Sequence, residues 1–213
     1  MPVLVIAYGP LGAVPILAVA VLMANASRVA AWWREVDWRA CAAYAVVAAP
    51  AAALGARTLL VLPPRIVDGA LGGFFIGMIF ARRSLERRHG RLKRWHLSVI
   101  GAPVGFLTGI VVSTGPITTP IFLAYGLAKG AFLGTEAAAS LAVYAAKAIV
   151  FRSFGALPLD SLLLGVVIGS SLTVGSFVAK RFVARLEIRQ FRALMDAVML
   201  ISGLALLWAG VRV

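Results

Sequence analysis

The chain has 213 residues, of which 62% are hydrophobic and only 14% are charged, and its mean hydropathy is +0.96. A soluble domain of this size could not bury so much apolar surface in one core, so the composition excludes a soluble protein. The charged residues are grouped in short segments, as expected when loops face water and spans face lipid. We therefore expect an all-α polytopic membrane helix bundle.

The net charge of +13 arises mostly from two segments, residues 82–95 and 180–192. Basic segments beside membrane spans are typical of the cytoplasmic side, where they contact anionic lipid headgroups. The expected location is therefore the cell membrane, with several spans and with both basic loops in the cytoplasm. The same reasoning predicts no nucleic-acid partner.

Few residues in the chain could hold a metal or form a disulfide. Cys41 is the single cysteine, and the two histidines, His89 and His96, lie in or beside the first basic segment. We expect no metal site and no cofactor. The first apolar run lacks a basic leader and contains Gly9 and Pro10, so we interpret it as a retained span rather than a signal peptide.

Apolar stretches of spanning length predict six ordinary helices. They cover residues 4–24, 40–62, 66–81, 131–151, 159–179 and 194–211. A seventh apolar region, residues 97–128, is interrupted by two prolines, a glycine and four hydroxyl residues between Ser113 and Pro120. Its halves would be roughly 24 and 18 Å long at helical rise, too short for a hydrocarbon core of about 30 Å. The region therefore predicts a broken re-entrant hairpin.

A hairpin that enters and leaves on one side also places the two basic segments and the loop predicted at residues 25–39 on the same side of the membrane. The three helices before it then run opposite to the three helices after it. This indicates inverted repeats, with a first repeat over residues 1–95 and a second over residues 96–213. Inverted repeats with broken helices are typical of secondary transporters, whose substrates bind where the half-helices end.

The break in the hairpin is the first candidate site. An irregular backbone inside a membrane requires a polar cavity, and the open N–H groups at the start of the second half-helix, near Ile117, favour a small anion. The candidate substrate-binding residues here are Ser113, Thr114, Gly115, Pro116, Thr118 and Thr119. The alternative is a proline kink whose hydroxyls bond back to the backbone.

The next predicted helix carries a second set of candidates. Glu136, Ser140, Tyr144 and Lys147 recur at spacings of four, four and three, which places them on one helix face. Glu136 could then carry a proton and Lys147 could attract an anion, because ionisable groups inside spans usually line a pathway or form pairs. The alternative is that both side chains extend to the membrane surface from near the helix ends.

Glycines at intervals of four favour a structural role. Gly101, Gly105 and Gly109 are spaced in this way, as are Gly69 and its successors at 73 and 77. Small residues at this interval allow two helices to approach closely, so we interpret these glycines as packing positions.

These motifs together resemble the TauE/SafE family of membrane permeases, also called the sulfite exporter family. The likeness to the second repeat is carried by Gly105, Gly109, the segment 113–116, Pro120 and Lys147. The likeness to the first repeat is carried by Asn25, Arg28, Asp37, Trp38 and Gly55. The family usually opens with another glycine-rich broken segment, and this chain starts too late to contain it in full. We therefore expect either a truncated or misassigned start, or a remnant of that segment at residues 8–12.

The resemblance implies transport of sulfite, sulfonates or related small organic anions, driven by an ion gradient. It adds Asn25 to the candidate substrate-binding residues beside Tyr144 and Lys147. We expect a secondary transporter that alternates access about the broken helix, with Glu136 as the coupling group and a proton as a candidate coupling ion. The anion, its direction of transport and a homodimer remain open.

Two other functions are compatible with the spans. One is an accessory membrane subunit without transport activity. The other is a membrane enzyme that acts on a lipid phosphate, which would need a nucleophile or metal-binding carboxylates. Only Glu136 and Asp196 lie near the spans, so the sequence favours a protein that is not an enzyme.

Overall fold

A computed structural model describes the chain over residues 2–61, 92–110 and 115–187, with residues 189–191, 193, 194 and 197 beyond them, and side chains from residue 12 onward. The described part is helical. Its elements are α1 (Pro2–Trp32), a 3-10 turn (Trp33–Glu35), α2 (Trp38–Val61), α3 (Arg94–Ile110), α4 (Gly115–Tyr125), α5 (Lys129–Ser153) and α6 (Leu159–Arg185).

Four of the described helices are long and apolar enough to cross a membrane. They are α1, α2, α5 and α6, and they correspond to four of the six predicted spans. The predicted spans at 66–81 and 194–211 lie outside the described residues or almost entirely so. The all-α membrane fold class is therefore confirmed.

Two predicted boundaries were wrong. α1 does not end at Ala24 but continues to Trp32, so Asn25 and Arg28 belong to a helix and not to a loop. α6 continues past Ala179 to Arg185, so the first part of the basic segment 180–192 is helical. In both cases the helix continues into its polar end, because hydropathy marks where lipid contact stops and not where the backbone hydrogen bonds stop.

The helices run in two opposite directions. α1 and α6 are parallel, because Ile16 approaches Gly165 while Lys180 near the end of α6 donates to the carbonyl of Ala31. α2 and α3 are also parallel, because Gly101 lies against Tyr44 and Gly109 lies against the carbonyl of Ala52.

The end of α1 and the beginnings of α2, α3 and α5 meet at one end of the bundle, which we call the basic end. Basic residues of three separate segments lie there. They are Arg34 and Arg39, Lys93 and Arg94, and Lys180 with Arg185. These described basic residues therefore share one end of the bundle, as the hairpin interpretation requires, and the side of the membrane that this end faces stays a prediction.

α3 and α4 form the two arms of the predicted hairpin. The N–H of Leu92, just before α3, donates to the carbonyl of Ala124 near the end of α4 at 3.2 Å. The end of α4 therefore lies beside the start of α3, at the same end of the bundle. α3 has 17 residues and α4 has 11, or roughly 25 and 16 Å at helical rise, so neither arm spans a bilayer alone.

The glycines of α3 make its contact with α2. A Cβ atom at Gly105 would overlap the carbonyl and Cα of Ala48, and one at Gly109 would overlap the backbone of α2 near Ala52. The predicted packing role of these glycines is therefore confirmed. It holds α3 against α2.

Candidate functional site

The buried polar side chains of the described residues lie on α5 itself or on α1, α3 and α4. They are Asn25, Ser27, Thr108, Thr118, Thr135, Glu136 and Lys147. Glu136 is 6% exposed and Lys147 is 0% exposed, so the alternative in which both side chains extend to the surface was wrong. Three helical turns separate them, roughly 16 Å at helical rise, and each is the centre of its own cluster.

The first cluster, the Glu136 cluster, consists of Asn25, Arg28, Thr118, Glu136 and Ser140. One carboxylate oxygen of Glu136 accepts hydrogen bonds from the hydroxyls of Ser140 at 2.9 Å and Thr118 at 3.2 Å. The other oxygen accepts from the guanidinium of Arg28 at 3.0 Å. The carboxylate therefore joins α1, the second arm of the hairpin and α5.

Arg28 and Asn25 form the α1 side of this cluster. They lie one helical turn apart, and the guanidinium also donates to the side-chain oxygen of Asn25. Asn25 is fully buried, and its side-chain nitrogen has no hydrogen-bond partner among the described residues. A buried donor without an acceptor is uncommon in proteins and marks a position where an additional acceptor would be favourable.

The corner between α1 and α2 is fixed beside this cluster. The backbone N–H of Asp37 donates to the hydroxyl of Thr135 at 2.8 Å. The Asp37 carboxylate accepts from the N–H groups of Arg39 and Ala40 at 3.0 Å, which caps the start of α2. Because Thr135 directly precedes Glu136 on α5, this hydrogen bond fixes the position of the corner relative to the Glu136 carboxylate.

The second cluster, the Lys147 cluster, lies near the end of the first hairpin arm. The ammonium of Lys147 donates to the backbone carbonyl of Thr108 in α3 at 2.7 Å. It also lies 5.7 Å from the ring centroids of both Tyr144 and Phe151. A charged group enclosed in this way is costly to bury, which makes Lys147 a candidate for a functional residue.

The predicted residues at the break are only partly within the described structure. Ser113 and Thr114 lie outside it, and of Pro116 only the backbone is described. α4 begins at Gly115, two residues before the predicted start near Ile117. A proline directly after the first helical residue is compatible with a helix start, because the N–H it lacks would have no partner there.

Thr118 and Thr119 differ in their surroundings. The Thr118 hydroxyl lies 3.3 Å from the Gly115 carbonyl as well as near Glu136, so the alternative of hydroxyls bonded back to the backbone holds in part. Thr119 is half-buried, and no side-chain hydrogen bond joins it to another described residue. The described structure thus brings Asn25, Thr118 and Glu136 together, and separately brings Tyr144 and Lys147 together.

Sequence reasoning missed two members of these clusters as functional candidates. Arg28 was noted only as part of a family motif, although its spacing of three from Asn25 on an extended α1 would have placed both on one face. Thr108 contributes a backbone carbonyl, and because every residue has one, its residue type could not predict this contact. Ser140 was placed on the correct face and is confirmed as a partner of Glu136.

A comparison with protein families finds a match to the model described as "Sulfite exporter TauE/SafE" over residues 1–206. The chain belongs to the TauE/SafE family. It is also 29% identical over 220 residues to "Probable membrane transporter protein y4hK" of Sinorhizobium fredii (strain NBRC 101917 / NGR234), covering 94% of this chain and 85% of that protein. No solved structure matches the chain.

Membership of the TauE/SafE family, together with this relative, supports a membrane permease rather than an enzyme. In the part of the chain that the structure describes, no group of three or more histidine, cysteine, aspartate or glutamate side chains could hold a metal ion.

Proposed function

We propose that this TauE/SafE protein is a secondary transporter for a small anion, with sulfite and sulfonates as the first candidates, and that access alternates about the broken hairpin. The observation that carries the proposal is that each hairpin arm contacts one ionisable residue of α5. Thr108 in the first arm binds Lys147, and Thr118 in the second arm binds Glu136.

The Lys147 cluster supplies the positive charge for substrate binding in this mechanism. The ammonium already lies against the Thr108 carbonyl in the last turn of α3, two residues before that arm ends at Ile110. The second arm, α4, begins at Gly115, and the open N–H groups and positive dipole end at its start favour an anion. An anion between the arms would therefore be attracted by both, which is the arrangement expected in transporters with discontinuous helices.

The Glu136 cluster supplies the coupling. Glu136 connects α1 and α5 to the second arm through Arg28 and Thr118, so a change in its charge changes the hydrogen bonds that hold the arm. A proton taken up by Glu136 would weaken the pair with Arg28 and release the arm. We therefore propose a proton as the coupling ion and movement of α4 as the step that changes access.

The test is flux in proteoliposomes loaded with sulfite, sulfoacetate, sulfate or lactate. We expect the wild type to transport at least one of these anions, and we expect Thr118→Val and Lys147→Met each to reduce the rate by more than tenfold. Ser153→Ala is the matched control, because the Ser153 hydroxyl bonds only the backbone of its own helix and is exposed. Wild-type rates in both variants would contradict the proposal.

Binding gives a second readout of the same proposal. An anion at about 100 times its dissociation constant should add roughly 2.7 kcal/mol to the free energy of unfolding if it binds only the folded state. A wild type that neither binds nor transports any anion of the set would instead favour the accessory-subunit alternative, in which the clusters are structural.

A further inference from the structure

The carboxylate of Glu136 is surrounded by hydrogen-bond donors from Arg28, Thr118 and Ser140, as a bound anion would be. We propose that this carboxylate is a resident anion, and that the substrate oxyanion binds to Arg28, Asn25 and Thr118 by displacing it. This inference rests on the proposed function. It adds a second anion subsite to the one at Lys147, and at this second subsite the Glu136 carboxylate competes with the substrate. The subsite lies roughly 16 Å along α5 from Lys147 and near the basic end of the bundle.

The side chain of Asn25 is the first observation that points to a ligand. It is fully buried, its oxygen accepts from Arg28, and its nitrogen has no partner among the described residues. Its amide donor is thus beside a guanidinium and lacks the acceptor that buried donors normally have. An oxyanion bound to Arg28 would supply an acceptor for the Asn25 nitrogen. Glu136 accepts from Arg28 but not from this nitrogen.

The contacts of Arg28 are the second observation. A guanidinium has five N–H donors and prefers to bind an oxyanion with two parallel hydrogen bonds. In this cluster one terminal nitrogen of Arg28 donates to Glu136 and the other donates to Asn25, so the guanidinium makes a single hydrogen bond to the carboxylate. Arg28 can therefore bind an anion with two oxygens more completely than it binds Glu136.

Access to the subsite differs between the two partners of the ion pair. The side chain of Arg28 is 31% exposed, whereas that of Glu136 is 8% exposed. A substrate can reach the guanidinium from the exposed side while Glu136 lies on the buried side. After displacement, the carboxylate keeps the hydroxyl of Ser140, one turn along its own helix, as a hydrogen-bond donor.

Competition for one cation has a measurable consequence. Two negative groups beside a single guanidinium repel each other, so the charge of Glu136 must weaken the binding of any anion at Arg28. Glu136→Gln removes this competitor and keeps one oxygen, which can accept from Thr118 and Ser140 as Oε1 of Glu136 does. The variant should therefore bind anions more tightly than the wild type, which a purely structural ion pair does not predict.

The experiment measures thermal-shift affinities of the purified protein in detergent for sulfite, sulfoacetate, sulfate and lactate. We expect Glu136→Gln to tighten the binding of at least one anion by about tenfold. Glu35→Gln is the matched control, because it removes the same charge from an exposed position at the same end of the bundle. Equal or weaker binding by Glu136→Gln would overturn the inference.

Two further variants keep the test independent of any loss of fold. Asn25→Asp retains the oxygen that accepts from Arg28 but removes the amide donor and adds a competing charge, so it should weaken anion binding at least tenfold. Adding Arg28→Gln to Glu136→Gln should cancel the tighter binding. Unchanged binding in Asn25→Asp, or tight binding in the double variant, would overturn the subsite.

These outcomes are distinct from those of the flux assay. A wild type that transports an anion while Glu136→Gln shows no gain in affinity would retain the proposed transport function and overturn the resident-anion inference. Tight binding by Glu136→Gln without transport by the wild type would support the subsite and contradict transport. Absence of binding in every variant would overturn the inference.

Discussion

Lys147 is a residue at which stability and the proposed transport can be tested separately. Its ammonium is fully buried, and its contacts include a backbone carbonyl and two aromatic rings. Replacing a buried charge by an apolar side chain of similar volume is often neutral or even stabilising, because the desolvation penalty disappears with the charge. Lys147 therefore allows stability and transport to be measured separately.

We predict that Lys147→Met leaves the free energy of unfolding within about 2 kcal/mol of the wild type, whereas anion transport falls by more than tenfold. The two opposing contributions to stability are the lost desolvation penalty and the unsatisfied Thr108 carbonyl. The melting temperature in detergent, compared with flux at equal protein density, checks this. A variant that unfolds at room temperature would show that Lys147 is structural.

Asp37 is predicted to act on stability alone. Its carboxylate accepts from two N–H groups at the start of α2, and loss of such a cap typically costs about 1 kcal/mol. Asp37→Ala should therefore lower the melting temperature, whereas Asp37→Asn should retain most of it because the amide oxygen can also cap. Similar stability of both variants to the wild type would contradict a capping role.

At the scale of the elements, the short hairpin arms depend on close helix contact. α3 cannot span a bilayer, so its position is set by its packing against α2 through Gly101, Gly105 and Gly109. The hairpin then connects this fixed helix to α4, whose Thr118 contacts α5. We interpret α3 as the anchored arm and α4 as the arm that moves.

Gly105→Ala provides the test of the anchored arm. The added Cβ would overlap the backbone of Ala48, so α2 and α3 must separate, and such overpacking typically costs about 1–3 kcal/mol. We expect a lower melting temperature and reduced transport. Gly175→Ala is the matched control, since a Cβ there meets no atom within 4 Å. Equal stability of the two variants would show that the contact is dispensable.

At the scale of the whole molecule, the fold gathers basic residues of three segments at one end. This end includes Arg34, Lys93 and Lys180, while the turn between α5 and α6 lies at the opposite end. The positive-inside rule predicts that the basic end faces the cytoplasm. The described fold fixes which segments share a side, but the orientation itself remains a prediction.

Cysteine accessibility in intact cells checks the orientation. In a Cys41→Ser background, Arg34→Cys should react with an impermeant maleimide only after the cells are permeabilised, whereas Asp160→Cys should react without permeabilisation. Both positions are exposed in the structure, so each should be reactive once the reagent reaches it. The opposite labelling pattern would invert the predicted orientation, and labelling of both sites in intact cells would contradict the spans.

Much of the fold could be predicted because it depends on local properties of the chain. Hydropathy identified four described spans, since a lipid-facing helix must be apolar along its length. Proline and glycine predicted an interruption between Ser113 and Pro120; the hairpin does have two separate helices, ending at Ile110 and beginning at Gly115, but Gly115, Pro116 and Pro120 themselves belong to α4. The spacing of Glu136, Ser140, Tyr144 and Lys147 identified one face of α5, since helical period is fixed.

The partners of these residues could not be predicted in the same way. Arg28 and Glu136 are 108 positions apart in the chain, and Lys147 and Thr108 are 39 apart. No local pattern encodes such pairs, because they exist only when α1, the hairpin and α5 pack together. The extension of α1 to Trp32 was missed because hydropathy identifies apolar stretches, whereas the last turns of this helix include Asn25, Ser27 and Arg28.

By itself, the sequence determined that the chain is a helical membrane protein of the TauE/SafE type with a broken hairpin and a polar face on α5. Only the tertiary structure decided that the two ionisable residues of that face belong to separate clusters, and that one of them is paired with Arg28. The physical reason is that hydropathy and helix breaking act over a few residues, whereas the pairing of buried charges depends on which helices the fold brings into contact.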